Sequence, residues 1–321
     1  MRSRGLQFLT LSAWLLPWSF AQMPAAPDPL DALGVRDLSL PADQKQAIRV
    51  LLLANRKDDA ERLLADIVLK TPDSFDSRIL LARMEYLNKK PADAARQLAK
   101  ADELQRLSTK DRLLLGFAYK ANREPQRAIA EFQKLVAKEP GNPEYLYWIG
   151  RTELDARNPE KSIPVFRKLI AQNPDYLRAY ESLGVALEQQ GDKAGALAIY
   201  KDGVKRDEKL HACPPWLYLN LGALQQDANQ LKVAEASLRA AIRCAPLAQS
   251  HYRLGLLLQD TKRTDEAIEQ YRLAIGLQPG YSPPYYVLAR LYKMKGESAK
   301  AAQALDAFRH LSETKAPPPA P

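Results

Sequence analysis

Apolar residues recur three and four positions apart along almost the whole chain, with short polar breaks between the runs. Asp175 to Gln190 is typical: Leu177, Tyr180, Leu183, Gly184 and Leu187 share one face of a helix. Gly191-Asp192 interrupts that pattern, and Ala194, Ala196, Leu197 and Tyr200 restart it. The chain therefore reads as pairs of amphipathic helices joined by tight turns. Helix starts are marked by capping residues ahead of Pro, as in Asn142-Pro143 and Asn173-Pro174. Ser108-Thr109-Lys110-Asp111 has the form of a capping box with Asp as its acid. Pro91, Pro125 and Pro159 stand where second helices should begin, whereas Pro164 falls inside one and should kink it or delay its start.

The pairs repeat. Gly116, Gly150 and Gly184 lie 34 residues apart, and Gly222 and Gly255 continue the series. Ala60, Ala94 and Ala128 keep the same interval, followed by Ser162, Ala196, Ala234, Ala267 and Ala301. Pro72, Pro140, Pro174, Pro246 and Pro279 close their units. Units starting near 41, 75, 109, 143, 177, 215, 248 and 282 account for residues 41–313. A period of this length marks a stacked array in which each unit buries its apolar face on its neighbours. Small residues in the first helix mark where the second helix crosses it, and Leu115, Leu183, Phe132, Phe166, Tyr200 and Tyr271 fill the space between.

Tyr180-Glu181-Ser182-Leu183-Gly184-Val185-Ala186-Leu187, with Ala196, Tyr200 and Gly203, resembles a tetratricopeptide repeat. So does Leu254-Gly255-Leu256-Leu257-Leu258, with Ala267, Tyr271, Ala274 and Pro279. The resemblance implies an all-α, right-handed α-solenoid superhelix of about eight antiparallel helix pairs. The terminal units drift from the pattern, with Ile48 in the small-residue column and Phe308 where a small residue is usual. No polar capping helix follows the last unit, so Leu305, Phe308 and Leu311 are expected to be partly exposed or covered by a partner or a second copy.

The resemblance also implies a working surface. In such arrays the first helices line a concave groove that holds an extended peptide or a partner helix. The groove-facing positions include Arg83, Phe117, Arg151 and Arg290 just after the small column, and Tyr147, Glu181, Tyr252 and Tyr286 one turn earlier. Tyr147/Arg151 and Tyr286/Arg290 are i,i+4 pairs, so each shares a face. Tyr and Arg are the residue types that most often carry binding energy, and Arg forks onto carboxylates. The groove thus reads basic and aromatic at each end and acidic between. Asn220 is the only Asn in these columns, which departs both from the acidic-tail clamps of the family and from the Asn ladder of the O-linked N-acetylglucosamine transferases.

Composition adds bounds. Apolar content of 46% suffices for burial. The net charge is +9, from 47 basic and 38 acidic residues, without a run of five like charges. That describes a solvated helical surface rather than a nucleic-acid-binding one. The three His residues (His211, His251, His310) have no metal-site spacing, and no phosphate-binding Gly loop or Gly-x-Ser-x-Gly is present. No catalytic residue, metal, cofactor or small-molecule substrate is therefore expected. The N-terminus carries a different signal. Arg2 and Arg4, the apolar run Leu6 to Phe20 and the small residues of Ser19-Phe20-Ala21 read as an export signal over residues 1–21, with an uncleaved inner-membrane anchor over 5–21 as the alternative. A Pro/Ala-rich leader (22–40) and a Pro-rich tail (314–321) flank the array.

Export would place the two cysteines in an oxidising compartment. Cys213 precedes the first helix of the sixth unit and Cys244 ends its second, so antiparallel packing brings them together and a disulfide is expected. Two unpaired thiols are the alternative. The bridge would tether a longer connection, because the fifth and sixth units are 38 rather than 34 residues apart. The expected function is a non-catalytic, exported protein-interaction scaffold of the envelope-assembly, pilus or secretion kind, with possible self-association through the last repeat. The alternative is a recognition module for an enzyme system such as O-linked glycosyl transfer, with catalysis on another chain.

Overall fold

A computed structural model describes residues 39–313 together with Leu30 and Leu33. The export signal, nearly all of the leader and the Pro-rich tail lie outside the described residues. Sixteen helices follow one another, with no strand among the described residues. They are α1 (Ala42–Leu53), α2 (Lys57–Lys70), α3 (Phe75–Leu87), α4 (Pro91–Leu104), α5 (Thr109–Ala121), α6 (Pro125–Lys138), α7 (Pro143–Asp155) and α8 (Pro159–Gln172). Then come α9 (Leu177–Gln190), α10 (Lys193–Leu210), α11 (Pro215–Asp227), α12 (Leu231–Cys244), α13 (Ala248–Asp260), α14 (Thr264–Leu277), α15 (Pro283–Met294) and α16 (Ser298–Glu313).

The chain forms two compact units, one ending at Lys90 and one beginning at Pro91. In the first, α2 packs on both α1 and α3. In the second, each helix from α4 to α16 packs on its neighbours in sequence, and the first helices α7, α9, α11 and α13 also touch in series. This is an all-α solenoid of antiparallel helix pairs.

The small-residue column has a direct steric cause. A Cβ on Gly150 would lie 2.7 Å from Cε1 of Phe166, sixteen residues further on, and the equivalent atom on Gly184 would collide with the ring of Tyr200. Carbon atoms of neighbouring side chains settle at about 3.5–4.0 Å, so the helices can cross this closely only where the Cβ is missing. Phe166 and Tyr200 are fully buried, as are Ala196, Phe132 and Tyr271. In the last pair the column holds Ala289, and its opposite number is Leu305 rather than an aromatic ring. There the Gly-and-ring pair is replaced by Ala and Leu, a larger residue facing a smaller one.

All eight hairpin turns close in the same way. Asn55, Lys89, Arg123, Arg157, Asn229 and Lys262 have φ between 55° and 62°, and Gly191 and Gly296 take positive φ at the two remaining turns. In each, the left-handed residue donates back three residues and the next one donates back five, as in Arg157 N to Leu154 O and Asn158 N to Glu153 O. This is a Schellman closure. Only two of the eight turns use Gly, so the turn geometry was not visible as a Gly signal.

Two local expectations are corrected. Pro164 neither delays nor interrupts α8, which runs from Pro159 through Gln172 with Pro164 on its exposed side. Asn173 does not cap the following helix: it ends α8, and α9 begins at Leu177 after a turn in which Tyr176 N donates to Asn173 O. Ser108 caps α5 as expected, its Oγ accepting from Asp111 N at 3.1 Å and donating to the Asp111 carboxylate at 2.6 Å. Asn142 caps α7 as expected, accepting from Glu144 N at 3.1 Å.

The 38-residue spacing is one added helical turn. α10 has 18 residues where α8 and α12 have 14. Buried Asp207 organises its end, accepting from Ala212 N, Cys213 N and the Tyr218 hydroxyl, each at 2.9 Å. Cys213 and Cys244 form a disulfide with a Cα–Cα distance of 5.2 Å, joining the entry of α11 to the end of α12.

Candidate functional site

Four of the groove residues expected from the sequence come together on the first helices of the second unit. Phe117 (α5) sits edge-on to Trp148 (α7) with centroids 4.8 Å apart, and Trp148 is edge-on to Tyr147 at 5.2 Å. Tyr147 also packs on Tyr176 (5.6 Å) and Phe166 (6.2 Å). Arg178, at the start of α9, lays its guanidinium over this aromatic bed, 4.0 Å from the centroid of Tyr147 and 5.6 Å from that of Trp148. Its Nη1 donates to the Glu144 carboxylate at 3.3 Å, and the Tyr176 hydroxyl donates to the same carboxylate at 2.7 Å. Burial, followed by the bond to Glu144, holds the Tyr176 hydroxyl well above the usual phenol range.

Beside this bed stand Arg151 and Glu181. Arg151 Nε donates to Asp155 at 3.1 Å, and Lys120 Nζ reaches the same carboxylate from α5 at 2.6 Å. Glu181 is half-buried on α9, with no ion pair or hydrogen bond of its side chain among the described residues. Burial pushes its carboxyl above the usual range, against the opposing pull of Arg151 and Arg178. Below it, the Tyr200 hydroxyl donates to Glu188. The result is an aromatic floor with a fixed cation over it, next to a carboxylate short of partners.

The other expected residues lie elsewhere. Arg83 belongs to the first unit, where its Nη1 donates to the Leu33 carbonyl at 2.7 Å. Tyr252 packs on Tyr271 and Tyr281. Tyr286 is 46% exposed, packs on Phe308 and, with Arg290, lines a cavity of about 430 Å³ between α15 and α16. Ala289, Ala301 and Leu305 form much of its wall, and no residue of α16 is buried. Tyr147 differs from expectation. It is buried in the core beneath Arg178 rather than presented to solvent. The exposed anchor of this patch is therefore Arg178.

Arg178, Trp148, Tyr176 and Glu144 were not singled out from the sequence, yet a signal for two of them exists. Glu144 and Arg178 are 34 residues apart, so they occupy the same column in adjacent units with opposite charges. A column read pairwise across the seam would have found this contact. Gln226 and Asp260, hydrogen-bonded at 2.7 Å, are instead offset by one position, four residues after Gly222 and five after Gly255. His251 is a packed residue, 7% exposed, with Nδ1 2.8 Å from the Gln270 side-chain oxygen. Among the described residues no group of three or more His, Cys, Asp or Glu side chains is placed to hold a metal ion. No helix there is long and apolar enough to cross a membrane.

A solenoid of antiparallel pairs with an aromatic and charged first-helix face defines a repeat protein of the helical-hairpin class. A tetratricopeptide repeat model matches residues 46–105, 113–160 and 149–210, and a second tetratricopeptide repeat model matches 248–281. The chain belongs to the tetratricopeptide repeat family. Over 135 residues, 38% of its length, it is 28% identical to protein O-mannosyl-transferase Tmtc1 of Drosophila melanogaster. The chain spans only 16% of that relative. Among solved structures it is similar to pilF of Pseudomonas aeruginosa, with 19% identity, a TM-score of 0.50, and coverage of 64% of this chain and 92% of that one. It is also similar to a thermophilic tetratricopeptide repeat protein of Thermus thermophilus, with 24% identity, a TM-score of 0.46, and coverage of 62% and 99%. Identities this low speak to the fold alone. Tetratricopeptide repeat arrays are in general non-catalytic scaffolds for protein interaction.

Proposed function

We propose that this chain is an exported, non-catalytic scaffold that holds a peptide or protein partner along its first-helix groove, centred on α7 and α9. One observation carries this reading: Glu181 is half-buried, with no side-chain hydrogen bond or ion pair among the described residues, beside Arg178, which is fixed on an aromatic bed. Burial of a carboxylate is tolerated when something replaces the lost hydration, and a partner's cation or amide N–H would do so. Arg and aromatic groups fixed in advance also bind at low entropic cost. Peptide arrays probed with the wild-type chain and with Arg151→Glu and Glu181→Lys variants test it. The expected result is loss or replacement of the captured set. An unchanged set removes the groove from the account.

The export signal at residues 1–21 and the Cys213–Cys244 bridge support a periplasmic or secreted location. N-terminal sequencing of the protein from an exporting host is expected to begin at Gln22, and a retained Met1 argues for the membrane-anchored alternative or no export. A role in envelope assembly, pilus biogenesis or secretion fits such a scaffold.

Two further readings each have an observation behind them. The apolar cavity between α15 and α16 favours self-association through the last repeat, and sedimentation at rising concentration should then show a dimer that Leu305→Glu abolishes. The match to an O-mannosyl-transferase favours a recognition role in glycosyl transfer, with catalysis on another chain. Glycan analysis of secreted proteins in a deletion strain tests this, and an unaltered profile counts against it.

A further inference from the structure

Away from the first-helix face, a cleft of about 360 Å³ runs between the second helices α8 and α10. Ile170, Tyr180 and Ile199 form its floor, and Lys205, Arg206 and Lys209 its rim. Arg206 is engaged with Asp175 at 3.2 Å. Lys205 and Lys209 are exposed and have no ion-pair partner among the described residues. Asp202 is the only acid in the lining.

Nothing equivalent occurs in the adjoining units. One unit earlier the four α10 positions 199, 202, 205 and 206 correspond to Val165, Lys168, Ala171 and Gln172, where α8 ends, so Lys209 has no counterpart. One unit later they correspond to Ser237, Ala240, Arg243 and Cys244. Lys209 stands beside Lys205 and Arg206 because α10 carries the added turn that Asp207 and the disulfide brace. The third cation of the rim is a product of that departure from the repeat.

We propose that this cleft binds a single-chain anionic amphiphile, with a carboxylate or phosphate head between Lys205 and Lys209 and its stem over Ile170, Ile199 and Tyr180. A free inorganic anion would leave the apolar floor unused. A neutral apolar molecule would leave the two exposed ammonium groups without a counter-charge. The volume lies at the small end of small-ligand sites, roughly 300–1,000 Å³, so it suits one short stem rather than an extended peptide. The site is independent of the groove reading, since none of its residues belongs to the α7–α9 aromatic patch.

Titration calorimetry on the oxidised, full-length protein, with decanoate, decyl phosphate and decanol below their micellar concentrations, tests the proposal. Saturable binding of one anion per chain is expected for one or both charged probes, and the preferred probe identifies the head group. Decanol should bind weaker by about tenfold or more. Lys205→Gln/Lys209→Gln should weaken the anion by a similar factor while leaving the melting temperature and the peptide-array pattern unchanged. Ile199→Ala should weaken both anions alike. Absence of saturable binding at millimolar probe, decanol binding as tightly as the anions, or an unaffected double-Gln variant overturns it.

Discussion

The pairing of a first-helix glycine with a buried ring sixteen residues later can be tested by a double-mutant cycle at Gly150 and Phe166. A methyl group at 150 would sit 2.7 Å from Phe166 Cε1 and 2.9 Å from Cζ. The ring is fully buried and packed on Tyr147, so it has little room to retreat. Overpacking of this kind costs about 1–3 kcal/mol. Replacing Gly by Ala in a helix interior restores about 1 kcal/mol. Gly150→Ala alone should therefore destabilise by about 0–2 kcal/mol, the balance of these two. Phe166→Leu alone leaves part of the ring's space empty and should cost about 1–2 kcal/mol, less than the loss for a full truncation to Ala. Combined, the clash is gone and the new methyl occupies vacated space. This is the Ala289/Leu305 combination that the last unit already uses. The double variant should then be more stable than the sum of the single effects implies, by about 1–3 kcal/mol. Urea unfolding followed by far-UV circular dichroism, at equal slope for all four proteins, reads this coupling. Additivity to within about 0.5 kcal/mol refutes the steric account of the column.

Other expectations concern the turns, the bridge and the groove. Arg157→Gly should raise the melting temperature, because a left-handed residue other than Gly is disfavoured by roughly 1–2 kcal/mol and Arg157 makes no structural side-chain bond among the described residues; a lower melting temperature would contradict the Schellman reading. Cys213→Ser/Cys244→Ser should lose roughly 3–4 kcal/mol if the chain-entropy model holds for a 31-residue separation, and calorimetry showing no loss would leave the bridge without a stabilising role. Glu181 has a carboxyl pushed up by burial, so its contribution to folding is most favourable below the unfolded-state pKa and worsens as pH rises through the native one. Glu181→Gln should consequently be more stable than wild type at neutral pH, with the gap closing in acid; parallel stability curves across that range would argue that the carboxylate is satisfied.

Much of this architecture could be read in the residues. Each first helix begins at or within one residue of the position that the repeat register implies, and a cap or Pro marks most of those ends, though not those of α9 and α13. The Gly and Ala columns pointed to helix crossings, and the glycine contacts show why. What escaped reading depends on contacts between repeats. Tyr147 looked like an exposed anchor because its column faces the groove, yet Arg178 from the next repeat covers it. The trio Arg112, Asp102 and Glu131, with Arg112 donating to each acid at 2.7 Å, joins α4, α5 and α6 across two repeats and has no periodic signal. The turns were invisible for a different reason: the Schellman bonds hold Lys, Arg and Asn in a conformation that sequence reading reserves for Gly.

The central claim is that partners engage the α7–α9 first-helix face. Site-specific photo-cross-linking tests it most directly, with a benzophenone amino acid placed at Gln189, exposed on α9, or at Lys201, exposed on α10. In the native host, a cross-linked partner should form from Gln189, vanish when Arg178→Glu is added, and not form from Lys201. Equal yields from both positions, or a product only from Lys201, would contradict it.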